Sequence, residues 1–567
     1  MPETTEASGG APASALSFDL TAQPWIEVLM LDGTQVALSL REVFAQAGDV
    51  RRIVGDLPTG EFALLRLLLA IAHDAVDGPR DIEHWSQLWN DPRCFAPVDT
   101  YMDTHRSLFD LFDAEVPFFQ TAGLRTAKGE VFSLARIVAD VPNGEPFFTA
   151  RMPGVERLGF AEAARWVVHA HAYDTSGIKS GVEGDDRVKG GKVYPLGVGW
   201  AGNLGGVFVE GHNLRETLLL NSVAADTSGL RFEPGDRPAW RRGPTGPGGA
   251  ERTPTGVRDL YTWQSRRLRL YADPSGVHGV VLGYGDPLTA RNKHVIEPMT
   301  AWRRSEAQEK KHGEALVYLP REHDPERSAW RGLASLIADR AETVKAGSNV
   351  PAFLRPGVLE WVARLVTEGE LPRGFLVRAR IVGAVYGTQQ SVVDEVVDDH
   401  LSMGVALLHR QDREYAQQAI DAVADADGAV KALGDLATDL QRAAGRENDA
   451  PRAIARDRAF GALEGPYRTW LSGLAAADDP YEQRTRWQRQ VYRLVGRLGD
   501  QLIADAGEAA WAGRVVPTKQ GSVWLTSALA HQWFRARLSK SLGHSHDDQP
   551  SDAQAPAAAD PSVKVHA

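Results

Sequence analysis

The 567-residue chain is 43% hydrophobic and 24% charged, enough to bury sizeable cores in about two to four domains. A net charge of −11 with a pI near 5.9 excludes an indiscriminately polyanion-binding surface, which goes with a pI above about 9, so any nucleic-acid contact has to be local. The single cysteine, Cys94, excludes internal disulfides and paired-cysteine zinc sites, and no apolar run approaches the roughly 18 residues of a membrane helix.

Taken from the start, residues 1–16 hold Ala, Ser, Gly, Thr and Glu with little to pack, which predicts a disordered segment. Acids stand where a secretory signal would be basic, so the expected compartment is the cytoplasm. Trp25-Ile-Glu-Val-Leu-Met-Leu31 and Thr34-Gln-Val-Ala-Leu-Ser39 flank Asp32-Gly33 and read as a β-hairpin, because Asp-Gly takes the positive φ angles of a tight turn. Phe62-Ala-Leu-Leu-Arg-Leu-Leu-Leu-Ala-Ile-Ala72 is apolar nearly all round and predicts a buried core helix.

From 177 to about 285 the chain turns rich in Gly and Pro, with strand-like Gly206-Val-Phe-Val209 and Leu268-Arg-Leu-Tyr271 and a long loop over 229–256. Basic residues cluster between 187 and 380: Arg187-Val-Lys-Gly-Gly-Lys192, Arg266-Arg-Leu-Arg269, Arg291-Asn-Lys293, Arg303-Arg304 and Arg378-Ala-Arg380. Each reads as a solvated face or as part of one local patch for phosphates. Gly383-Ala-Val-Tyr-Gly-Thr-Gln-Gln-Ser391 then sets two glutamines at an exposed turn, where neutral amides either decorate a polar loop or reach between base pairs.

Beyond it, Ala, Leu, Arg, Asp and Glu dominate, predicting helices near 391–410, 412–445, 452–475, 480–506 and 522–540. The fourth starts with Asp479 as cap, Pro480 in the first turn and Glu482 reaching back. The expected fold class is α+β. A mixed α/β domain with short strands and long loops spans 17–390, a four-helix bundle spans 391–540, and 541–567 form a disordered tail.

Catalytic signatures are scarce. There is no phosphate-cradling Gly-x-x-x-x-Gly-Lys-Ser/Thr loop, no Gly-x-Ser-x-Gly elbow, and nothing that marks Cys94 as a nucleophile. His169 and His171 lie two apart on a helical stretch, so with Asp174 they make a poor metal site. His73-Asp74, His323-Asp324 and His546-Asp547 are pairs of a kind that arises by chance. The remaining enzymatic alternative is a metal-dependent nuclease or other hydrolase on Asp394-Glu-Val-Val-Asp-Asp-His400, whose carboxylates repeat at i and i+4.

Several motifs fall in a telling order. Asp110-Leu-Phe-Asp with Pro117-Phe-Phe-Gln120, then Gly211-His-Asn-Leu-Arg-Glu-Thr-Leu-Leu-Leu-Asn221, then Tyr386-Gly-Thr-Gln-Gln-Ser391 resemble, from about residue 20 to 540, the CasA family, the large subunit of the type I-E CRISPR surveillance complex Cascade. The resemblance implies a non-catalytic subunit without cofactor or metal. It would recognise the protospacer-adjacent motif in double-stranded target DNA, begin strand separation for R-loop formation, and recruit the CRISPR helicase-nuclease. It also implies contact with crRNA and the other Cascade subunits, and no membrane.

The family's lysine finger carries over to Lys293, nine residues before Trp302. In a minor groove a lysine meets only acceptors shared by several base pairs, which predicts permissive motif recognition. The wedge carries over to Gln389 with Thr388 and Gln390 flanking, either glutamine being able to wedge. The glycine loop carries over to Gly197, Gly199 and Gly202, or less closely to Gly190 and Gly191. Phe148 carries over as the contact to crRNA or a neighbouring subunit.

Overall fold

The computed structural model describes residues 16–139, 155–338, 350–519 and 521–543. Phe148 and nearly all of the terminal segments read as disordered lie outside them. Two compact units emerge, one of residues up to 416 with 471–476, the other of 417–470 and the residues from 477.

In the first unit the predicted hairpin forms between Ile26–Met30 and Gln35–Leu38. Gly33 takes φ +89°, and the Asp32 carboxylate accepts from the Thr34 amide and hydroxyl. Val50–Ile53 pairs with the other edge. The predicted core helix runs over Pro58–Ala75, started by its proline and buried on nearly every face. It packs against the helices Phe160–Tyr173, Leu214–Asn221 and Val257–Tyr261.

The segment 391–410 corrects the helical expectation. Val393–Gly404 is a strand, paired antiparallel along its length with Leu376–Tyr386, which pairs in turn with Gly206–Val209. Residues four apart share a helix face, but being an even number apart they share a strand face too, so the Asp394 to Asp398 spacing could not discriminate. The β-branched Val392, Val393, Val396 and Val397 and the long partner strand decide it. Asp398 meets Arg380 across the strands through two hydrogen bonds of 2.9 Å, and Arg380 also donates to Glu61 at 2.7 Å. Asp394 folds over Gly387, where a Cβ would stand 2.6 Å from its carboxylate. The cluster is thus spent on holding a hairpin, and among the described residues no group of three or more His, Cys, Asp or Glu could hold a metal ion.

The histidines of Phe160–Tyr173 point apart as expected: His169 Nε2 lies 3.0 Å from the Thr59 hydroxyl and His171 Nε2 lies 2.8 Å from the Phe119 carbonyl. Residues 229–256 hold no regular element beyond the single turn Ala239–Arg241.

The second unit is mainly helical, taking most of Arg413–Ala444 and of Ala450–Leu474 and all of Pro480–Ala504 and Ser527–Ser541. Trp487 is fully buried among them, meets Tyr467 edge to face and Trp470 at a tilt, and donates from its indole to the Ala422 carbonyl at 3.0 Å. Asp479 caps its helix by accepting from Tyr481 and Glu482 amides. The last expected helix begins later than 522, because Arg514–Thr518 and Gly521–Leu525 form a hairpin first. No helix among the described residues is long and apolar enough to cross a membrane.

Burial holds four histidines of the first unit neutral, with pKa values pushed down to about 4 for His169, His171 and His323 and about 3 for His73. Unfolding returns each to near 6.5, so below that pH the unfolded chain binds more protons. Their stabilising contribution is whole above pH 6.5 and is lost as pH falls toward 4, by about 3 kcal/mol per histidine at the lower limit. Urea unfolding at pH 7, 5.5 and 4.5 should show this fall, with a shallower slope in His169→Gln; a flat profile would contradict it.

Candidate nucleic-acid interface

The glutamine motif forms the turn that joins Leu376–Tyr386 to Val393–Gly404, so it stands at the end of a long two-stranded ribbon. Gln389 and Gln390 both adopt left-handed backbone, with φ of 57° and 56°. Non-glycine residues pay about 1–2 kcal/mol each for this conformation, and hold it only where the surroundings enforce it. Here the Gln390 amide donates to Gly387 O at 2.8 Å, the Gly387 amide to Val392 O at 3.1 Å, and the Ser391 hydroxyl to Thr388 O at 2.9 Å. Thr388 and Gln389 are exposed and Gln390 is half-buried. Gln390 is also the residue tied to the body, its carbonyl accepting from the Ser176 amide at 2.7 Å. Gln389 is therefore the outward amide of the pair.

Ser176 does double duty. Its hydroxyl accepts from the Gly197 amide at 3.1 Å, so one residue bridges the glutamine turn and the glycine-bearing segment, which lie far apart in sequence. The arrangement is braced by Arg266, whose buried guanidinium donates to the carbonyls of Asp174 at 2.8 Å, Thr175 at 3.1 Å and Gly197 at 3.0 Å, and pairs with the Asp174 carboxylate.

The glycines divide by reason. Gly197 has φ +105°, and its Cβ position faces open space. Gly199 and Gly202 correct the expectation of backbone offered to DNA: both are buried, and their amides donate to Asp174 O and Gly199 O, each at 2.9 Å. They are glycines because a Cβ would collide with the Ala172 backbone at 199 and with the Tyr386 ring at 202. Tyr386 itself donates from its hydroxyl to Tyr173 O at 2.7 Å, fixing the root of the turn. The exposed glycines are Gly190 and Gly191, with φ of 58° and 78°. They lie in a two-residue hairpin turn closed by paired Lys189 and Lys192 backbone bonds.

Lys293 follows Asn292, a left-handed residue (φ 56°) clamped to the Tyr318 backbone through both its amide and its side chain. The lysine is half-exposed, and burial followed by the charge of Arg291 holds its pKa below the usual lysine value. Among the described residues no carboxylate pairs with it, whereas most neighbours from the basic clusters are taken. Arg187 pairs with Asp185, Arg267 with Asp286, Arg291 with Glu314, Arg304 with Glu309 and Arg380 with Asp398. The supposed basic patch is thus largely neutralised by carboxylates, leaving Lys189, Lys192, Arg269, Lys293, Arg303 and Arg378 without ion pairs among the described residues.

The Lys293 loop is joined to the glycine segment through the core. Ile296 packs with Trp200, Leu204, Leu260 and Trp263. Glu297, wholly buried, accepts two hydrogen bonds from Arg66 at 3.0 and 2.9 Å and one from the Trp200 indole at 2.8 Å. Sequence reasoning missed Ser176, Arg66 and Glu297, of which Ser176 and Glu297 are ordinary residues in their local context. The unusual signal was an arginine inside an otherwise apolar helix.

The family model for CRISPR-associated protein Cse1 matches residues 19–498. The solved structure of Cse1 from Thermobifida fusca is 56% identical with a TM-score of 0.85, covering 93% of this chain and 98% of that one. A curated relative, CRISPR-associated protein CasA/Cse1 from Thermus thermophilus, is 31% identical over 364 residues, 60% of this chain and 65% of that protein, so the match spans just under two thirds of the relative's length. A chain in a structure named CRISPR RNA-guided surveillance complex shares the fold, with a TM-score of 0.66 at 16% identity, covering 92% of this chain and 99% of that one. With the motifs, the fold and a family match over most of its length in agreement, this chain belongs to the Cse1 (CasA) family.

Proposed function

We propose that the protein is the non-catalytic large subunit of a CRISPR RNA-guided surveillance complex, assembled with crRNA and the other Cascade subunits. It recognises a protospacer-adjacent motif in duplex DNA through Lys293, begins strand separation with Gln389, and recruits a helicase-nuclease. The relation to a chain of such a complex supports the setting. The observation that carries the mechanism is Ser176 bonding at once to Gln390 and Gly197, which sets a stiff, exposed Gln389 beside an open glycine loop. A side chain pushed between base pairs has to offset a few kcal/mol of unstacking, which only a turn that does not itself yield can do. Pairing of the freed strand with guide RNA is nearly balanced, so a small opening decides whether the exchange starts. Lys293, lacking a carboxylate partner among the described residues, keeps its charge available for the negative potential of a narrow groove.

Gln389→Ala in the assembled complex should slow target-strand opening about tenfold or more, since that is the rate equivalent of even ~1.4 kcal/mol, while initial duplex affinity changes little. Fluorescence of 2-aminopurine beside the motif reads the opening, and equal loss of both properties would argue against a wedge. Lys293→Ala should weaken motif-dependent duplex binding itself by about 1–3 kcal/mol. Because the ammonium form binds, wild-type affinity should decline as pH rises through the depressed lysine pKa, and Lys293→Arg should remove that decline. Gly202→Ala should act through stability by about 1–3 kcal/mol as the new methyl displaces Tyr386, and Tyr386→Phe should relieve part of the loss. An unaltered denaturation midpoint in Gly202→Ala would contradict the packing account.

A further inference from the structure

Beside the root of the glutamine turn lies a cleft of about 320 Å³, lined by Arg136, Thr175, Ile178, Lys179, Ser391 and Val392 among others. That volume falls at the lower end of small-ligand sites. Its charges do not balance. Lys179, only 7% exposed, donates to Asp174 at 2.9 Å, Arg266 shares the same carboxylate, and Arg136 stands at the wall, so three cations meet one close carboxylate. Glu130 and Asp174 are the acids whose charges reach Arg136, and neither forms an ion pair with it. Arg136 is nevertheless aimed: its guanidinium lies 3.6 Å from the centre of the Phe132 ring and donates from one Nη1 to the Ser180 hydroxyl at 3.0 Å. Nε and Nη2 are left over, a fork suited to a planar or tetrahedral oxyanion. Ile178, 55% exposed at the mouth, and Val392 supply an apolar wall.

We propose that this cleft binds one phosphate group of a nucleic-acid strand, the phosphate on Arg136 above Lys179 and the attached nucleoside against Ile178 and Val392. The chemistry asks only for a phosphodiester. It comes from the DNA beside the glutamine turn or from the guide RNA, and the DNA source alone rests on the proposed wedge function. Occupation by a phosphate offsets part of the excess positive charge that the buried Lys179 and Arg266 leave behind their single carboxylate.

The test uses the full chain and two probes, a short single-stranded DNA and an RNA of the same sequence, with affinity followed against salt. Arg136→Gln should lower affinity about tenfold and reduce the slope of log K on log salt by about 0.7, the change expected when a single strand has one fewer phosphate neutralised. Arg136→Lys should recover the slope and only part of the affinity, since a point charge lacks the fork. Ile178→Glu, altering the mouth without touching Arg136, should weaken binding as well. Loss confined to RNA assigns the phosphate to the guide, loss confined to DNA assigns it to the target, and loss of both upholds a site for either. Unchanged affinity and slope for both probes in Arg136→Gln and Ile178→Glu would overturn the proposal. Gln389→Ala should leave the slope intact, so a failure of the wedge reading would be seen separately in strand opening.

Discussion

A carboxylate with no exposure to water, Glu297, and the guanidinium that faces it, Arg66, hold the lysine loop and the glycine segment of the first unit in one frame. Arg66 sits inside the buried helix Pro58–Ala75, 4.4 Å from the centre of the Tyr261 ring. Glu297 uses both oxygens: it accepts twice from Arg66, once from Trp200 and once from the Met299 amide at 3.0 Å. Removing one partner of such a pair leaves an uncompensated buried charge, at about 3–5 kcal/mol, so each member holds the other in place. The consequence is positional. Glu297 stands four residues after Lys293, and Trp200 directly follows Gly199, so the pair sets the lysine loop against the glycine segment through side chains that never approach the surface.

A second frame, around Ser176 and Asp174, does the same for the glutamine turn. Both frames consume charge, and this explains how an acidic chain can be dense in arginine between 187 and 380 without being a general polyanion binder. Arg266, Arg267 and Arg380 are structural cations, each largely buried and each facing an aspartate. Among the described residues, Lys293 and the lysines of the Lys189–Lys192 turn are cations without an ion pair, on a molecule whose net charge discourages contact elsewhere.

Much of the architecture was legible because it follows from local rules. Asp32-Gly33 specified a turn, the unbroken apolar run after Phe62 specified a buried helix, and Asp479-Pro480 marked a helix start. The strand Val393–Gly404 was not legible, since acids and valines at spacings of four satisfy helix and strand alike, and its deciding partner, Leu376–Tyr386, acts through pairing and not through propensity. The site divides the same way. The Gly-Thr-Gln-Gln pattern placed Gln389 on an exposed turn, and it is on one, whereas Lys293 came from motif order alone, with no local structure read for it. Which glycines face outward could not be read, because Gly199 and Gly202 owe their identity to Ala172 and Tyr386, neighbours known only once the chain has folded.

The turn itself combines two demands that pull against each other. A glycine at 389 or 390 would relax the left-handed backbone, but it would carry no side chain to project and would loosen the loop. Glutamine accepts about 1–2 kcal/mol of backbone strain per residue in return for reach, and the strain is tolerable only because eleven residues of Leu376–Tyr386 and twelve of Val393–Gly404 are laddered behind it. The bulged register between Val385 and Tyr386 falls where the ribbon meets the turn, and Tyr386 is there locked into the Tyr173 carbonyl. Rigidity at the tip is therefore a property imported from the ribbon and from Ser176. For the proposed wedge this matters, since a longer or glycine-rich turn with the same exposed amide would bend before it could displace a stacked base pair.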